Sequence, residues 1–234
     1  MIALIYFAVN ATGRIMINNH KCFIVLTSKR NNTRFPDKNI SDCAGKPLYR
    51  WAVDACLRAD YIDRIYHISD DERMKGYLER LGIANIHEPD ELCAPHVPIL
   101  SVLKHTLNFI PAEDDDFIIW VDISKPLTRA WHINEVIGTA GAGGWDSVFT
   151  VKRLRYNLIG DAAVVSQLKP EKETRYIYFG AVRLRTARTL RDAEDGTWGT
   201  GANHLDLPIC EDFEIDVDYP HDLIMADALL KAGY

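Results

Sequence analysis

No stretch of this sequence approaches the roughly 18 consecutive apolar residues that a membrane-spanning helix needs. The longest apolar run, residues 1–9, has no positive charge before it and no small-residue cleavage site after it, so it does not read as a secretory leader. Basic charge is not in excess either. The chain sets 27 Lys and Arg against 33 Asp and Glu, a net charge of −6, which argues against nucleic acid as the partner. Cysteines are few and no Cys-x-x-Cys pair occurs. The five (Cys22, Cys43, Cys56, Cys93 and Cys210) are odd in number and far apart, so they are expected to be buried, reduced thiols of a cytoplasmic protein. The eight histidines show no metal-binding spacing. Glycine-rich Walker and dinucleotide fingerprints are missing, as are internal repeats and low-complexity tracts.

What remains is a 234-residue chain, 47% hydrophobic and 26% charged, which suits one α/β domain. Residues 1–20 stand apart as an N-terminal extension. They read as an extra strand, as a helix lying on the body, or as the result of an upstream start with Met16 as the true beginning. From residue 21 onward the pattern alternates. Strands are predicted at 22–26, 63–69, 85–87, 117–121 and 146–151, each a short run of β-branched and other apolar residues. Helices are predicted at 46–59, 71–81, 99–109 and 131–140, with Asp70 capping the second and Gly82 stopping it. This rhythm implies a doubly wound, mostly parallel sheet with helices on both faces. After residue 152 the rhythm breaks. Residues 152–175 read as an insertion, 176–184 as a strand in a different setting, and 213–217 as a last strand before a helix at 220–231 that begins on a proline.

Two segments can carry chemistry. The loop 27–39, TSKRNNTRFPDKN, sets Lys29, Arg30, Arg34 and Lys38 against the single acid Asp37, directly after the first buried strand. Ligands of open α/β sheets bind at the carboxyl ends of strands, so cations there suit a triphosphate. A solvated surface loop is the competing reading. The second segment is Glu214-Ile215-Asp216-Val217-Asp218. In a strand, Asp216 and Asp218 face one side, and two neighbouring carboxylates with phosphates and water suit Mg²⁺. A loop acid plus a helix cap is the alternative.

In sequence order these pieces resemble the cytidylyltransferases that activate acidic sugars, the CMP-sialic acid and CMP-Kdo synthetases, over residues 21–232. Thr33-Arg34-Phe35-Pro36-Asp37-Lys38-Asn39 is similar to the family's loop, particularly its Kdo-type Thr-Arg-Leu-Pro-Gly-Lys form. Ala44-Gly45-Lys46-Pro47-Leu48 resembles a Gly-Lys-Pro-Leu helix start, and Ile68-Ser69-Asp70-Asp71-Glu72 a Ser-Thr/Asp-Asp strand end. Pro126-Leu127 falls where the family has a Pro-Leu, and the run from Ile215 to Leu223 is similar to Ile-Asp-Ile-Asp-Thr-Pro-Glu-Asp-Leu. The resemblance implies a nucleotide-diphospho-sugar transferase (Rossmann-like) fold in one domain, 21–234. It also implies a homodimer formed through residues 152–185, and transfer of CMP from CTP to an acidic sugar with Mg²⁺ and release of pyrophosphate. Lys29, Arg30, Thr33, Arg34, Lys38, Asn39 and Asp70 become the implied nucleotide contacts. Asp216 and Asp218 become the metal ligands and, with Lys38, the catalytic groups. Lys125, Arg175 and Arg183 are the candidate acceptor contacts.

The chain also departs from the family. Lys29 replaces its first arginine, with Arg30 adjacent. Arg-Pro-x-x-Leu becomes Glu88-Pro89-Asp90-Glu91-Leu92, an acid in place of a phosphate- or base-contacting arginine, and a following aspartate becomes Pro95. Gln-Pro-Thr-Ser-Pro-Leu-Arg becomes the run Asp122 to Thr128, and Asn-Gly-Ala becomes Phe179-Gly180-Ala181. Two rival readings therefore stay open: a nucleotidyltransferase with another acceptor, such as a phosphonate, and a catalytically degenerate homologue that binds nucleotide or a partner protein.

Overall fold

The structure, a computed structural model, describes residues 7–9, 15–17, 19–154, 158–160, 163–166, 175–194, 197–210 and 214–234. Seven strands form the main sheet: β1 (Cys22–Ser28), β2 (Arg64–Ser69), β3 (Ala84–His87), β4 (Phe117–Asp122), β5 (Ser147–Leu154), β6 (Arg175–Thr186) and β7 (His204–Cys210). Their spatial order is β7-β5-β6-β4-β1-β2-β3. All run one way except β6, which is antiparallel to both β4 and β5. The helices are α1 (Tyr49–Arg58), α2 (Lys75–Arg80), α3 (Ile99–Thr106), α4 (Ala130–Gly143), α5 (Ala187–Asp192) and α6 (Pro220–Lys231).

The central strands are apolar on both faces because helices cover both. Along β1, Cys22, Ile24 and Leu26 join the core under α1, α2 and α4, while Phe23 and Val25 join the core under α3 and α5. β4 alternates in the same way, Ile119 and Val121 on one side and Ile118 and Trp120 on the other. A third cluster joins Cys43, Leu48, Leu127, Val217, Ala226 and Leu230, and so fastens α6 and the segment before it to the turn after β4.

Four expectations need correction. No strand forms over 214–217: of its backbone, Val217 N–H donates to Ser124 O at 2.9 Å, an isolated tie rather than a ladder, and residues 211–213 lie outside the description. The last strand is β7 instead, whose alternating exposure over HLDLPIC marks an edge position. The predicted helix at 71–81 shortens to α2. The Asp71 carboxylate accepts from the backbone and side chain of Arg73, and these local bonds hold 70–73 in turns. Asp70 does not cap α2; its Oδ1 accepts from Arg30 N–H at 2.7 Å. The helix expected at 46–59 starts at Tyr49, because Lys46–Pro47 pairs with Asp42–Cys43 as a small antiparallel ribbon. In the extension, Phe7–Val9 and Ile15–Ile17 form an antiparallel pair, and Ile17 is buried at 1% exposure in the core. Cys22, Cys43, Cys56 and Cys210 are buried and Cys93 half-buried, all as free thiols.

Candidate active site

From β1 the chain builds outward to β2 and β3, then returns to place β4 on the other side of β1. The connections at the carboxyl ends of β1 and β4 therefore part and leave a crevice between them. A cleft of about 340 Å³ lies there, reached from β1 by Ser28 and Lys29 and from β4 by Asp122 and Ser124. Asn32, Arg34, Lys38 and Asn39 of the cationic loop form another part of its wall.

The loop is folded back on its own start. Asn32 and Asn39 each donate a side-chain N–H to Lys29 O, at 2.9 and 3.2 Å, so these two amides set the loop's shape. Asp37 sits at φ 56°, a left-handed conformation for which Asp is among the better-suited non-glycine residues. Its carboxylate accepts from Arg73 Nη1 at 2.7 Å, tying the loop to the turn before α2. The following turn, Lys38–Ile40, buries Lys38 and Asn39. As a result Lys38 Nζ and Arg34 Nη2 point to one oxygen, Asp218 Oδ1, at 3.4 and 3.0 Å.

Asp218 and Asp216 reach the site from the segment before α6. Asp222 turns back to accept from the N–H groups of Asp218 and Tyr219, at 3.0 and 2.8 Å, which fixes the helix start. Lys152 Nζ donates to Glu214 O, and Val217 is fully buried, so the segment is held along its length. Asp216 accepts from Ser124 Oγ at 2.8 Å and from Lys125 Nζ at 2.7 Å. The same Ser124 hydroxyl lies 2.6 Å from Asp122 Oδ1, and the same ammonium donates to Asp122 Oδ2 at 2.6 Å. Lys125, only 3% exposed, is thus clasped between two carboxylates. Burial alone would raise the Asp122 carboxyl, but the Lys125 charge and the hydrogen bonds from Lys125 and Ser124 outweigh it and hold it well below the usual range.

The sequence-predicted residues divide accordingly. Lys29, Arg34, Lys38 and Asn39 line the cleft. Arg30 and Thr33 line a neighbouring groove with Asp37 and Arg73, on another side of the loop. Asp70 holds the loop through Arg30 N–H. Lys125 serves the acid pair, and Arg183 lies over the rings of Trp120, Phe149 and Trp198 at 4.9, 5.7 and 5.2 Å. Arg175 is on β6, and its side chain lies outside the description, as does much of 152–185. Ser124, which bridges Asp122 and Asp216, was not foreseen; a hydroxyl two residues beyond a strand-end acid carries no distinctive sequence signal.

A cytidylyltransferase family profile matches residues 24–176, more than half of the chain. The chain is 22% identical to a 3-deoxy-manno-octulosonate cytidylyltransferase of Hydrogenovibrio crunogenus, over 92% of this chain and all of that one. It is also 22% identical to an N-acylneuraminate cytidylyltransferase of Streptococcus agalactiae, over 87% of this chain but only 52% of that longer protein. Among solved structures, a CMP:2-keto-3-deoxy-manno-octonic acid synthetase complexed with CTP superposes with a TM-score of 0.72 at 15% identity, over 92% of this chain and all of the other. The strand order, the cleft at the sheet's switch point and the profile match agree, and the chain belongs to the cytidylyltransferase family.

Proposed function

We propose that this protein transfers CMP from CTP to an acidic sugar of the sialic acid or Kdo class and releases pyrophosphate. The observation that carries the reading is that Lys29, Arg34 and Lys38 line one cleft while Asp218 pairs with Arg34 and Lys38 and Asp216 with Ser124 of the same wall. The relatives' names supply the acceptor class. In the reaction a sugar hydroxyl oxygen bonds to the α-phosphorus, the bond to the bridging oxygen of the β-phosphate breaks, and the hydroxyl proton is lost. Such a reaction needs in-line positioning and charge stabilisation more than covalent help. Arg34 and Lys38 are the cations placed to leave Asp218 and take up the negative charge of the departing pyrophosphate.

The donor set fits Mg²⁺. Oδ2 of Asp218 has no hydrogen-bond partner among the described residues, and Asp216, two residues before it, accepts from Ser124 and Lys125 and keeps lone pairs for a cation. One or two carboxylates, with water and phosphate oxygens, are what this ion takes. Held by Asp218 with Asp216, Mg²⁺ would neutralise phosphate charge and favour ionisation of the hydroxyl. The protein is further proposed to be a cytoplasmic homodimer joined through 152–185, a state that sedimentation velocity would resolve.

The deciding experiment is pyrophosphate release with CTP, Mg²⁺ and a panel of 3-deoxy-2-keto sugar acids. Release with one of them is expected. Release with a phosphonate alone would change the acceptor. CTP binding without release for any acceptor would favour the non-catalytic rival.

A further inference from the structure

A second pocket, of about 310 Å³, lies between α1 and the start of α4. It shares no lining residue with the catalytic cleft. Two indoles, Trp51 and Trp131, and three cations, Lys46, Arg58 and Arg129, stand in its wall. Its one lining acid, Asp54, is already taken by Lys46 and by Arg50 Nη2 at 3.0 Å. Lys46 also lies over Trp51, 3.6 Å from the ring centroid, and is held there.

Arg58 and Arg129 are not neutralised in this way. Arg58, exposed in the last turn of α1, has no hydrogen-bond or ion-pair partner among the described residues. Arg129 is half-buried and donates to Pro126 O at 3.0 Å, to Thr128 O at 3.3 Å and to Tyr234 O. These bonds use three of its five N–H donors and leave two. Burial lowers this guanidinium, Glu214 opposes the shift, and the Arg58 charge adds to it, so the two guanidiniums feel each other. An anion between them would offset both burial and repulsion. α4 begins at this pocket, and its positive end adds to the charge. Thr128, 1% exposed, brings to the same wall a hydroxyl with no hydrogen-bond partner.

The indoles narrow the ligand further. Trp131 lays one face on His132, with ring centroids 3.7 Å apart, and remains 47% exposed. A bare inorganic anion would leave that ring in water. A ring that carries an acid group would cover the indole and reach the guanidinium forks at once. We infer that this pocket is a second binding site, for a sugar acid whose carboxylate or phosphate lies between Arg58 and Arg129 and whose ring lies on Trp131. The triphosphate loop takes no part in it, so the inference stands apart from the CTP reading.

The test is isothermal titration of the full chain with glucuronate and with glucose 6-phosphate, against neutral glucose, at about 0.05 M salt. Neither acid is a 3-deoxy-2-keto sugar, so neither is an acceptor in the proposed reaction. One carries a carboxylate and the other a phosphate, and the tighter of the two identifies the acid group the pocket takes. At least one should saturate with a Kd of about 1 mM or tighter, and glucose should bind at least about tenfold more weakly. Arg58→Met and Trp131→Ala, both at exposed side chains, should each weaken the acid at least about fivefold. Arg34→Ala, in the catalytic cleft, should leave its affinity unchanged. The comparison of acid with glucose on the wild type needs no variant, so a substitution that fails to fold does not block the test. Binding of neither acid, or of glucose as tightly as the acid, overturns the proposal. So does binding that Arg34→Ala weakens and Arg58→Met does not, since the acid would then sit in the catalytic cleft. All of these results leave cytidylyl transfer untouched, because pyrophosphate release decides that separately.

Discussion

At the scale of single residues, the two acids before α6 have different jobs. Asp218 meets the loop cations, whereas Asp216 meets Lys125 and Ser124. Asp218→Asn keeps the shape and removes the charge, so pyrophosphate release should fall by about 100-fold or more while the melting temperature barely moves. A near wild-type rate would remove Asp218 from the chemistry. Lys125→Met leaves the largely covered Asp122 facing the exposed Asp216 with no ammonium between them and should cost about 1–3 kcal/mol in denaturant unfolding, less than a fully buried pair would because water screens Asp216. Its pH signature is sharper. The folded Asp122 carboxyl is depressed, so the stability it contributes is complete above its unfolded range and is lost as pH falls from about 4 towards 2. Without Lys125, burial dominates and the sign reverses: stability should rise as pH falls from 7 towards 4. An unchanged acid limb in a melting series would show that the clasp does not govern Asp122. The loop cations were legible in the sequence because four of them directly follow a buried strand. The acids were legible as a pair, but not their partners, which lie 180 residues away for Asp218 with Lys38 and 91 for Asp216 with Lys125.

At the scale of elements, periodicity located most of what it was asked to locate. β1, β2, β3, β4, β5 and β6 arose near their predicted places, and α6 has the predicted limits. The end of the chain was the part misjudged. β7 does alternate, Leu205, Leu207 and Ile209 against His204, Asp206 and Pro208, but its proline argues against a strand, and the 214–218 segment is held by side chains and, among the described residues, one backbone tie, which leaves no period to read. The N-terminal extension is another case, since an apolar run alone does not show whether it docks. Ile17 does dock, and Ile17→Ala should cost about 2–4 kcal/mol, as for other large-to-small core changes. A chain starting at Met16 keeps Ile17 and should still show a CTP-dependent rise in melting temperature. A cost under about 0.5 kcal/mol for Ile17→Ala would place that side chain outside the cooperative core.

For the whole molecule the main feature is charge contrast. A chain of net −6 gathers four cations in one loop beside its cleft. The general field repels anions and the loop attracts them, so capture of a triphosphate should depend on short-range attraction that salt weakens. The KM for CTP should rise several-fold between about 0.05 and 0.5 M salt, with kcat changing less. A KM independent of salt would indicate that Arg34 and Lys38 remain with Asp218 throughout turnover.

The position of β1 also has a consequence for the order in which the chain can become a protein. Its neighbours are β2, which follows closely, and β4, which begins at Phe117, 95 residues beyond Cys22 in the same register. On the ribosome, one edge of a strand buried on both faces must therefore wait for more than half of the chain to be made. Pairing across such a separation is slow and leaves sticky edges open meanwhile. The acids of the site come later still, at positions 216 and 218 of 234. A nascent chain could thus complete its central sheet before it owns a nucleotide site, and CTP would act only on finished molecules, as a late brace rather than a template.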